Sequence, residues 1–500
     1  MLDHFYQHLR EIHRLRSIRA LLEWDQQVCM PVRGAAERAA QIELMSRLVH
    51  QRTTAPEFVN LTGELYATLD RHPERDQVNI RETKRHIDRK LKLPESFVAE
   101  HARVTALAWD EWTRARPAND FARVAPLLDR IFELSRDEAR LVGFTEHPYD
   151  ALLDTYEPGG TLREIKPLLL KLGEELAGLT PGLAARTAHV AELEGDYPEE
   201  FQASLARRVI GDIGYDLQAG RLDPTHHPFQ TSIGPDDIRI TTRYDRRSYL
   251  SSLFTVLHEA GHALYEGGLD KEAYGYPMGS AVSLGIHESQ SRLWENLIGR
   301  SRPFARYLHR VLTELHPEEA RRTSPDRLWE LSNRVTPSLI RVEADEVTYS
   351  LHVVIRLLLE ESITAGNLTT ADLPAAWNEL YERFLGVRPA DDRDGVLQDV
   401  HWYCGLFGYF PTYALGNIFG ALMLEEIREG IPDLDDQIER GEFGQLLRWL
   451  RVNIHGHGMR YHSSALVRAA TGREVSTAPF ISYLRRKFDA SESFRGEAAT

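Results

Sequence analysis

Hydrophobic positions recur at helical spacing over almost the whole chain. Near the start, apolar side chains follow one another at steps of three and four, which predicts an amphipathic helix. They are Phe5, Leu9, Ile12, Leu15, Ile18, Leu21 and Leu22. The same spacing predicts helices over about 35–49, 120–142 and 161–178, and it continues to about residue 488. The pattern therefore predicts a mainly α-helical protein.

One short stretch has the period of a β-strand instead. From Ile238 to Tyr244, apolar and polar side chains alternate, so that Ile238 and Ile240 share one face while Arg239 and Thr241 share the other. A small β hairpin or sheet is therefore expected immediately before the helix that follows.

Polar residues predict where one helix begins and which segments are connections, exposed faces or a tail. Thr161 and Glu164 have the spacing of a capping box at the start of the third of these helices. The segment 149–159 reads as a polar and aromatic connection, and the charge-rich segment 75–115 as a solvated helical face. Residues 489–500 are expected to form a frayed tail.

Length alone suggests about three domains for 500 residues, but the sequence argues for one. It contains no internal repeat, no low-complexity segment and no long linker. With 42% hydrophobic and 27% charged residues, its composition is that of an ordinary globular protein. We expect a single domain over 1–500, with an N-terminal helical part over about 1–200 and a part that carries the chemistry over about 201–490.

The charge and the cysteine content exclude several classes of partner. A net charge of −15 disfavours nucleic acid and anionic membranes, because phosphate binding requires a basic face. The two cysteines are far apart, which argues against a disulfide framework or a cysteine-based metal site. Neither a signal-peptide pattern nor an apolar run of about eighteen residues occurs, so a cytoplasmic protein without a membrane span is expected.

The most informative segment is the predicted helix over 251–264. His258 and His262 are four residues apart, which places both imidazoles on one helix face, where they can share a metal ion. Glu259 lies at the edge of that face and can reach a metal-bound water. This His-Glu-x-x-His pattern is typical of zinc peptidases. The surrounding apolar residues would bury the helix, and buried histidines need partners.

A catalytic zinc site usually has three protein ligands and one open position. Glu266 is on the same helix face, but it lies about 12 Å along the helix axis from His258, which is too far for a shared ion. The third ligand should therefore come from the next helical segment. Glu288 is the preferred candidate, with Glu295 and His287 as alternatives.

Six separate stretches resemble the carboxypeptidase Taq family of zinc metallocarboxypeptidases, and they occur in that family's order. They are His227-Pro228-Phe229, Asp237-x-Arg239-x-Thr241, His258-Glu259-Ala260-Gly261-His262, His287-Glu288-Ser289-Gln290, Ile340-Arg341-x-x-Ala344-Asp345 and Gly395-x-x-Gln398-Asp399-x-His401-Trp402. Looser similarity at 24–25, 150–159 and 453–455 extends the resemblance over nearly the whole chain.

The resemblance implies a neurolysin-like helical fold with a deep active-site groove, and usually a homodimer. It implies Glu288 as the third metal ligand and Glu259 as the general base. It also implies removal of C-terminal residues from peptides with broad specificity. Zinc is the expected metal, although cobalt or manganese would suit the same ligands.

Other residues are expected to bind the free carboxylate of the substrate and to stabilise the oxyanion that forms during cleavage. An arginine suits a free carboxylate, and Arg341 is the leading candidate, with Arg239 second. The oxyanion needs a further donor, for which Tyr409 is preferred and Tyr413 and His401 are alternatives.

Four further polar residues are assigned to the surroundings of the site. Asp345 or Asp399 could accept the outer N–H of a metal-binding histidine, and His227 and His455 could border the groove. Two other functions remain open at this point. They are a zinc endopeptidase or oligopeptidase of the same fold, and a non-catalytic helical metal-binding protein.

Overall fold

The computed structural model describes residues 1–193 and 195–489, and it confirms a mainly α-helical fold with one small sheet. The helices are α1 (Leu2–Val28), α2 (Ala35–Thr53), α3 (Pro56–Ala67), α4 (Glu74–Leu91), α5 (Glu95–Ala118), α6 (Phe121–Val142), α7 (Pro148–Leu153), α8 (Leu162–Thr187), α9 (Glu199–Asp212), α10 (Tyr249–Gly268), α11 (Leu284–Arg292), α12 (Arg302–Leu315), α13 (Pro317–Arg322), α14 (Pro325–Ser332), α15 (Tyr349–Thr364), α16 (Leu373–Leu385), α17 (Pro411–Gly430), α18 (Leu434–Arg440), α19 (Gly444–Asn453), α20 (Ser463–Thr471) and α21 (Ala478–Asp489).

The sheet has three strands, β1 (Leu222–Pro224), β2 (Gln230–Gly234) and β3 (Asp237–Thr242), in the order β1-β3-β2. Strand β3 pairs in parallel with β1 and in antiparallel with β2. The predicted strand is confirmed as β3, although it ends at Thr242 rather than at Tyr244. Ile238 and Ile240 are buried and Arg239 is less so, as the alternation predicts, but Thr241 is buried as well, and β3 packs against α10. The sheet therefore braces the helix that carries His258 and His262.

Two hydrophobic clusters account for most of the buried side chains. Helices α1 to α4 share a small one that includes Phe5, Phe58 and Ile87. The large one extends from Val104 to Phe488 and includes the buried sides of α10 and α17. The first four helices therefore form a layer with its own apolar contacts, and helix α1 packs along strand β2.

The capping box predicted at Thr161 is wrong. The Thr161 hydroxyl is buried without a hydrogen-bond partner, and the amide of Leu162 donates instead to Asp150 Oδ1 at 2.7 Å. Asp150 itself belongs to a capping box with His147 that begins α7, so part of the predicted connection is helical.

Two further expectations concern the end of the chain and the membrane. Helix α21 runs to Asp489, and the rest of the predicted tail lies outside the described residues. Among residues 1–193 and 195–489, no helix combines the length and the apolar character that crossing a bilayer requires.

Candidate metal centre and groove

Three features hold helix α10 in place: an N-terminal cap, a buried apolar face and close packing against α11. Ser248 caps its N-terminus by accepting the amide of Ser251 at 3.4 Å, and apolar residues such as Leu257 are fully buried. Gly261 allows close packing, since a Cβ atom there would lie 2.6 Å from the Gln290 carbonyl oxygen of α11. The glycine between Glu259 and His262 thus allows α11 to pack closely against α10.

Helix α11 is equally close to α17 on its other side. A Cβ atom at Gly416 would lie 2.6 Å from Cγ of Glu288. Two glycines on neighbouring helices therefore clamp the segment that carries Glu288, which fixes the position of its carboxylate relative to α10.

The side chains of His258, His262 and Glu288 converge. One ligand atom from each lies within 4.8 Å of the others, and both Nε2 atoms are 3.6 Å from Glu288 Oε2. Two ligand atoms that share an ion through bonds of about 2 Å can be at most about 4 Å apart, so both 3.6 Å separations are compatible with a shared ion. Two imidazoles and a carboxylate are a donor set that divalent transition metals accept. The residues therefore fit a divalent metal ion.

The outer nitrogens of both histidines have partners. His258 Nδ1 lies 2.8 Å from Glu295 Oε2, and His262 Nδ1 lies 3.1 Å from the His287 carbonyl oxygen. Such contacts orient the ring and direct Nε2 towards an ion. Burial opposes protonation of His258, but the Glu288 and Glu295 carboxylates outweigh it and raise the pKa of His258 to about 9. The Glu288 and Glu295 carboxylates therefore favour a positive charge beside His258.

The assignment of Asp345 or Asp399 to this role is therefore wrong. Asp345 accepts the amides of Val347 and Thr348 just before α15. Asp399 accepts hydrogen bonds from Arg341 and Arg356. The structure places both aspartates in other networks.

The alternative third ligands and Glu266 also have other contacts. Glu295 contacts the outer nitrogen of His258, as described above, and His287 Nε2 lies 3.0 Å from Glu266 Oε1. The ring of His287 also packs against the ring of His262, and their Nδ1 atoms are 2.6 Å apart. These contacts leave Glu288 as the third member of the convergent group.

Replacing Glu295 by Gln is expected to weaken metal binding by about 10–100-fold, the usual effect of losing a charged partner behind a metal ligand. A competition titration against a chromophoric chelator measures this affinity. The same substitution at the exposed Glu318 provides the control. An unchanged affinity in the Glu295 variant would show that the carboxylate does not support His258.

Sequence reasoning missed Arg292, which joins the two acids of the site. Its Nε donates to Glu288 Oε1 at 2.7 Å, and its NH1 group to Glu295 Oε2 at 3.3 Å. The guanidinium also lies over the Tyr349 ring, 4.0 Å from the centroid. The four-residue spacing of Glu288 and Arg292 on one helix was the available signal.

A cavity of about 1160 Å³ opens beside the convergent group, and both Glu259 and Arg341 line it. The N-terminal half of α10, from Ser248 to Glu259, forms one wall. Glu259 is buried, and this burial raises its pKa to about 7. Its carboxylate therefore lies at the cavity wall, one residue along α10 from His258 of the convergent group.

Arg341 is held rigidly at the cavity. Its Nε donates to Asp399 Oδ1 at 3.0 Å, and NH1 donates to the Tyr349 hydroxyl at 3.1 Å. Arg356 fixes Asp399 from the other side with two bonds of 2.8 and 2.6 Å. Arg239, the second candidate, instead pairs with Asp237 and lies 4.3 Å from the centroid of the Trp24 ring.

The remaining candidate residues differ in their positions relative to the cavity. Tyr413 lines the cavity and lies 3.3 Å from His401 Nε2, while Tyr409 packs with its ring 5.2 Å from that of Tyr413. His227 is exposed on the loop before β2, where the next residue lines the cavity. His455 does not border this cavity, because it is fully buried and bonded to Gln290 Oε1 at 2.9 Å.

Comparisons with known proteins agree with this geometry. The sequence profile of the family described as Carboxypeptidase Taq (M32) metallopeptidase matches residues 4–488. Thermostable carboxypeptidase 1 of Thermus thermophilus is 43% identical, over 97% of this chain and 98% of the relative. Carboxypeptidase 1 of Bacillus subtilis is 35% identical, over 97% of each chain.

Solved structures show the same relationship. The M32 carboxypeptidase of Deinococcus radiodurans has a TM-score of 0.94 at 36% identity, covering 98% of this chain and 99% of that one. The carboxypeptidase of Pyrococcus furiosus has a TM-score of 0.93 at 35% identity, with 97% and 98% covered. The chain therefore belongs to the carboxypeptidase Taq (M32) family of metallocarboxypeptidases and is a peptide hydrolase.

Proposed function

We propose that this chain removes residues from the C-termini of peptides with broad specificity. The observation that carries the proposal is the placement of His258, His262 and Glu288 beside Glu259, in a cavity that Arg341 also lines. The size of the cavity, about 1160 Å³, supports broad specificity, because it exceeds what one side chain fills.

Zinc is the proposed ion, held by the two histidines and Glu288, and cobalt or manganese would be accepted by the same donors. When bound there, the ion would supply an activated water, whose pKa falls to about 7, and would polarise the carbonyl of the bond to be cleaved. The partners Glu295 and Arg292 keep the ligands in position.

Glu259 is the proposed general base. Its carboxylate takes a proton from the attacking water and later delivers it to the nitrogen of the leaving amine. Burial of the carboxylate supports this role, because a carboxyl group with a pKa near 7 can both accept and release a proton at neutral pH.

The negative charge that develops on the carbonyl oxygen needs a neutral donor from the protein. Tyr413 lines the cavity, and Tyr409 packs against it, so we propose that one of these hydroxyls donates to the oxyanion. Burial raises the pKa of both phenols above the usual value, which keeps them protonated. His401 would orient Tyr413 through their contact.

Replacing Arg341 by Met is expected to raise KM for peptides with a free C-terminus by about 100-fold, because the carboxylate would lose a buried charged partner. Steady-state kinetics with matched free and C-amidated peptides measure this effect. The native protein should prefer the free peptide, and the variant should lose most of that preference.

Arg239→Met is the matched control, since Arg239 has Asp237 as its partner away from the cavity lining. If Arg341→Met keeps the preference and Arg239→Met loses it, Arg239 binds the carboxylate instead.

The same amidated peptide separates exopeptidase from endopeptidase action. Cleavage of internal bonds without stepwise loss of C-terminal residues would contradict the proposal and favour an endopeptidase. If metal-loaded protein removes no residue from either peptide, a non-catalytic metal-binding role is favoured.

We further propose that the chain acts as one domain and as a homodimer, for which the family membership is the support.

A further inference from the structure

The arginine that lines the cavity is held by a second arginine that does not border it. Arg356 of α15 is fully buried and lies behind the residues of the cavity wall. Its Nε and NH2 groups both donate to Asp399 Oδ2, at 2.8 and 2.6 Å. Oδ1 of the same carboxylate accepts the Nε–H bond of Arg341 at 3.0 Å. One carboxylate therefore joins the two guanidinium groups.

Gln398 forms a second link between the same two arginines. Its Oε1 atom accepts the backbone amide of Arg341 at 3.0 Å and the NH2 group of Arg356 at 2.9 Å. The NH1 group of Arg356 donates to the His352 carbonyl oxygen at 3.1 Å and to the Tyr381 hydroxyl at 2.9 Å. All the N–H groups of this guanidinium are thus used within the protein. Both the backbone and the side chain of Arg341 are bonded to groups that Arg356 holds.

Arg341 keeps part of its guanidinium available to the cavity. Its Nε bonds to Asp399 and its NH1 to the Tyr349 hydroxyl, whereas its NH2 has no hydrogen-bond partner among residues 1–193 and 195–489. The two existing bonds determine the direction in which the NH2 group points. Because a guanidinium donor suits a carboxylate acceptor, NH2 is the group that can meet the free end of a peptide.

The charges of this network are unequal. Among the residues that the structure describes, Asp399 is the only carboxylate within ion-pair distance of either guanidinium. Burial opposes ionisation of Asp399, but the Arg356 and Arg341 charges outweigh it and hold the pKa of this carboxyl well below its usual value. His401, 3.9 Å from Asp399 Oδ1, adds no charge near neutral pH, because burial and the Arg341 charge lower its pKa to about 4. Two buried cations therefore share one anion, and a substrate carboxylate would supply the second.

Loss of Arg356 would change both the position and the charge of the network. Asp399 would have Arg341 as its sole arginine partner, and it would be free to turn towards the N–H groups that a substrate needs. We propose that Arg356 is a positioning residue for carboxylate recognition. Through Asp399 and Gln398 it fixes Arg341, and it leaves one positive charge for the C-terminus of the peptide. This inference rests on the proposed carboxypeptidase function and adds a residue on which the selection of free chain ends depends.

Binding to metal-loaded Glu259→Gln protein tests Arg356 independently of catalysis. Fluorescence anisotropy would measure the dissociation constants of one labelled peptide with a free and with an amidated C-terminus. Adding Arg356→Met is expected to weaken binding of the free peptide about tenfold and to leave that of the amidated peptide unchanged, because Arg356 acts through Arg341. In the active protein, KM for the free peptide should rise about tenfold while kcat changes less than about twofold.

A double-mutant cycle separates this role from a purely structural one. In protein that carries Arg341→Met, the further change Arg356→Met should not alter peptide binding, because the group that it positions is absent. Arg89→Met is the matched control, since Arg89 is a partly buried arginine of α4 that pairs with Glu138 and does not line the cavity. It should leave both dissociation constants unchanged.

Arg356→Lys is the second variant, for use if Arg356→Met shows no cooperative melting transition, because breaking a buried ion pair is strongly destabilising. Lysine keeps the charge but has fewer donors, so binding of the free peptide should weaken about threefold, again only when Arg341 is present. Unchanged binding of the free peptide by the variant that folds, or an equal loss with the amidated peptide, would overturn the inference. Failure of the proposed function would appear separately, as free peptides that metal-loaded native protein leaves intact.

Discussion

Replacing Glu259 by Gln is expected to lower kcat by about 10²–10⁴-fold, the range for loss of a positioned general acid–base group. The amide has nearly the same shape as the carboxylate but cannot accept the proton of the attacking water. Because Glu259 is not part of the convergent donor set, the variant should bind one metal ion per chain, as the native protein does. Peptide cleavage assays together with metal analysis by mass spectrometry measure both quantities.

Glu272→Gln is the matched control for this experiment. It makes the same chemical change at an exposed position shortly after α10. It should leave kcat and metal content as they are in the native protein. Activity that survives in Glu259→Gln would show that another group takes the proton, whereas loss of metal from that variant would make its kinetics a measure of the metal site rather than of the base.

The elements of the metal centre could be predicted from local periodicity. The four-residue spacing of His258 and His262 specifies a shared helix face, and the alternation around Ile240 specifies the adjoining strand. Both signals are local, since they depend only on helix and strand geometry. The exclusion of Glu266 by its distance along α10 directs the search for a third ligand to the next helical segment, but it leaves Glu288, Glu295 and His287 as candidates. The family resemblance favours Glu288, and the structure places its carboxylate beside both histidines.

Partners that come from other elements could not be predicted in this way. Thr161 has the local spacing of a cap, but Asp150 of α7 accepts the Leu162 amide, and tertiary packing decides that competition. In the same way, Asp399 has the chemistry to support a metal-binding histidine, yet it lies within the network of Arg341. A sequence pattern identifies which groups can form such bonds but not which pairs meet.

The charge-rich helices illustrate the same limit. Arg16 of α1 and His86 of α4 are 70 residues apart in sequence, and each alone resembles a solvated surface residue. Only tertiary packing brings the two side chains together, so that the His86 ring nitrogen accepts a hydrogen bond from Arg16.

Replacing Glu288 by Gln is expected to have the second large effect, a loss of metal affinity greater than the about 10–100-fold expected for supporting residues such as Glu295. The amide oxygen can still accept the Arg292 Nε–H bond, so the packing between α10, α11 and α17 should be retained. The negative charge that a divalent ion requires would be gone, and peptide cleavage at limiting metal should fall with the affinity.

Thermal unfolding distinguishes this loss from misfolding. Metal at about 100 times its dissociation constant should stabilise the native protein by about 2.7 kcal/mol, because the ion binds the folded state. At that same concentration Tm of Glu288→Gln should be almost unchanged by metal, while its melting transition stays cooperative. Glu343→Gln removes an equal charge from an exposed residue of the cavity wall outside the donor set, and it should keep the native metal-induced rise in Tm. A full metal-induced rise in Tm of the Glu288→Gln variant would mean that this carboxylate is not a ligand. Glu295 and His287 would then be the candidates for the third ligand.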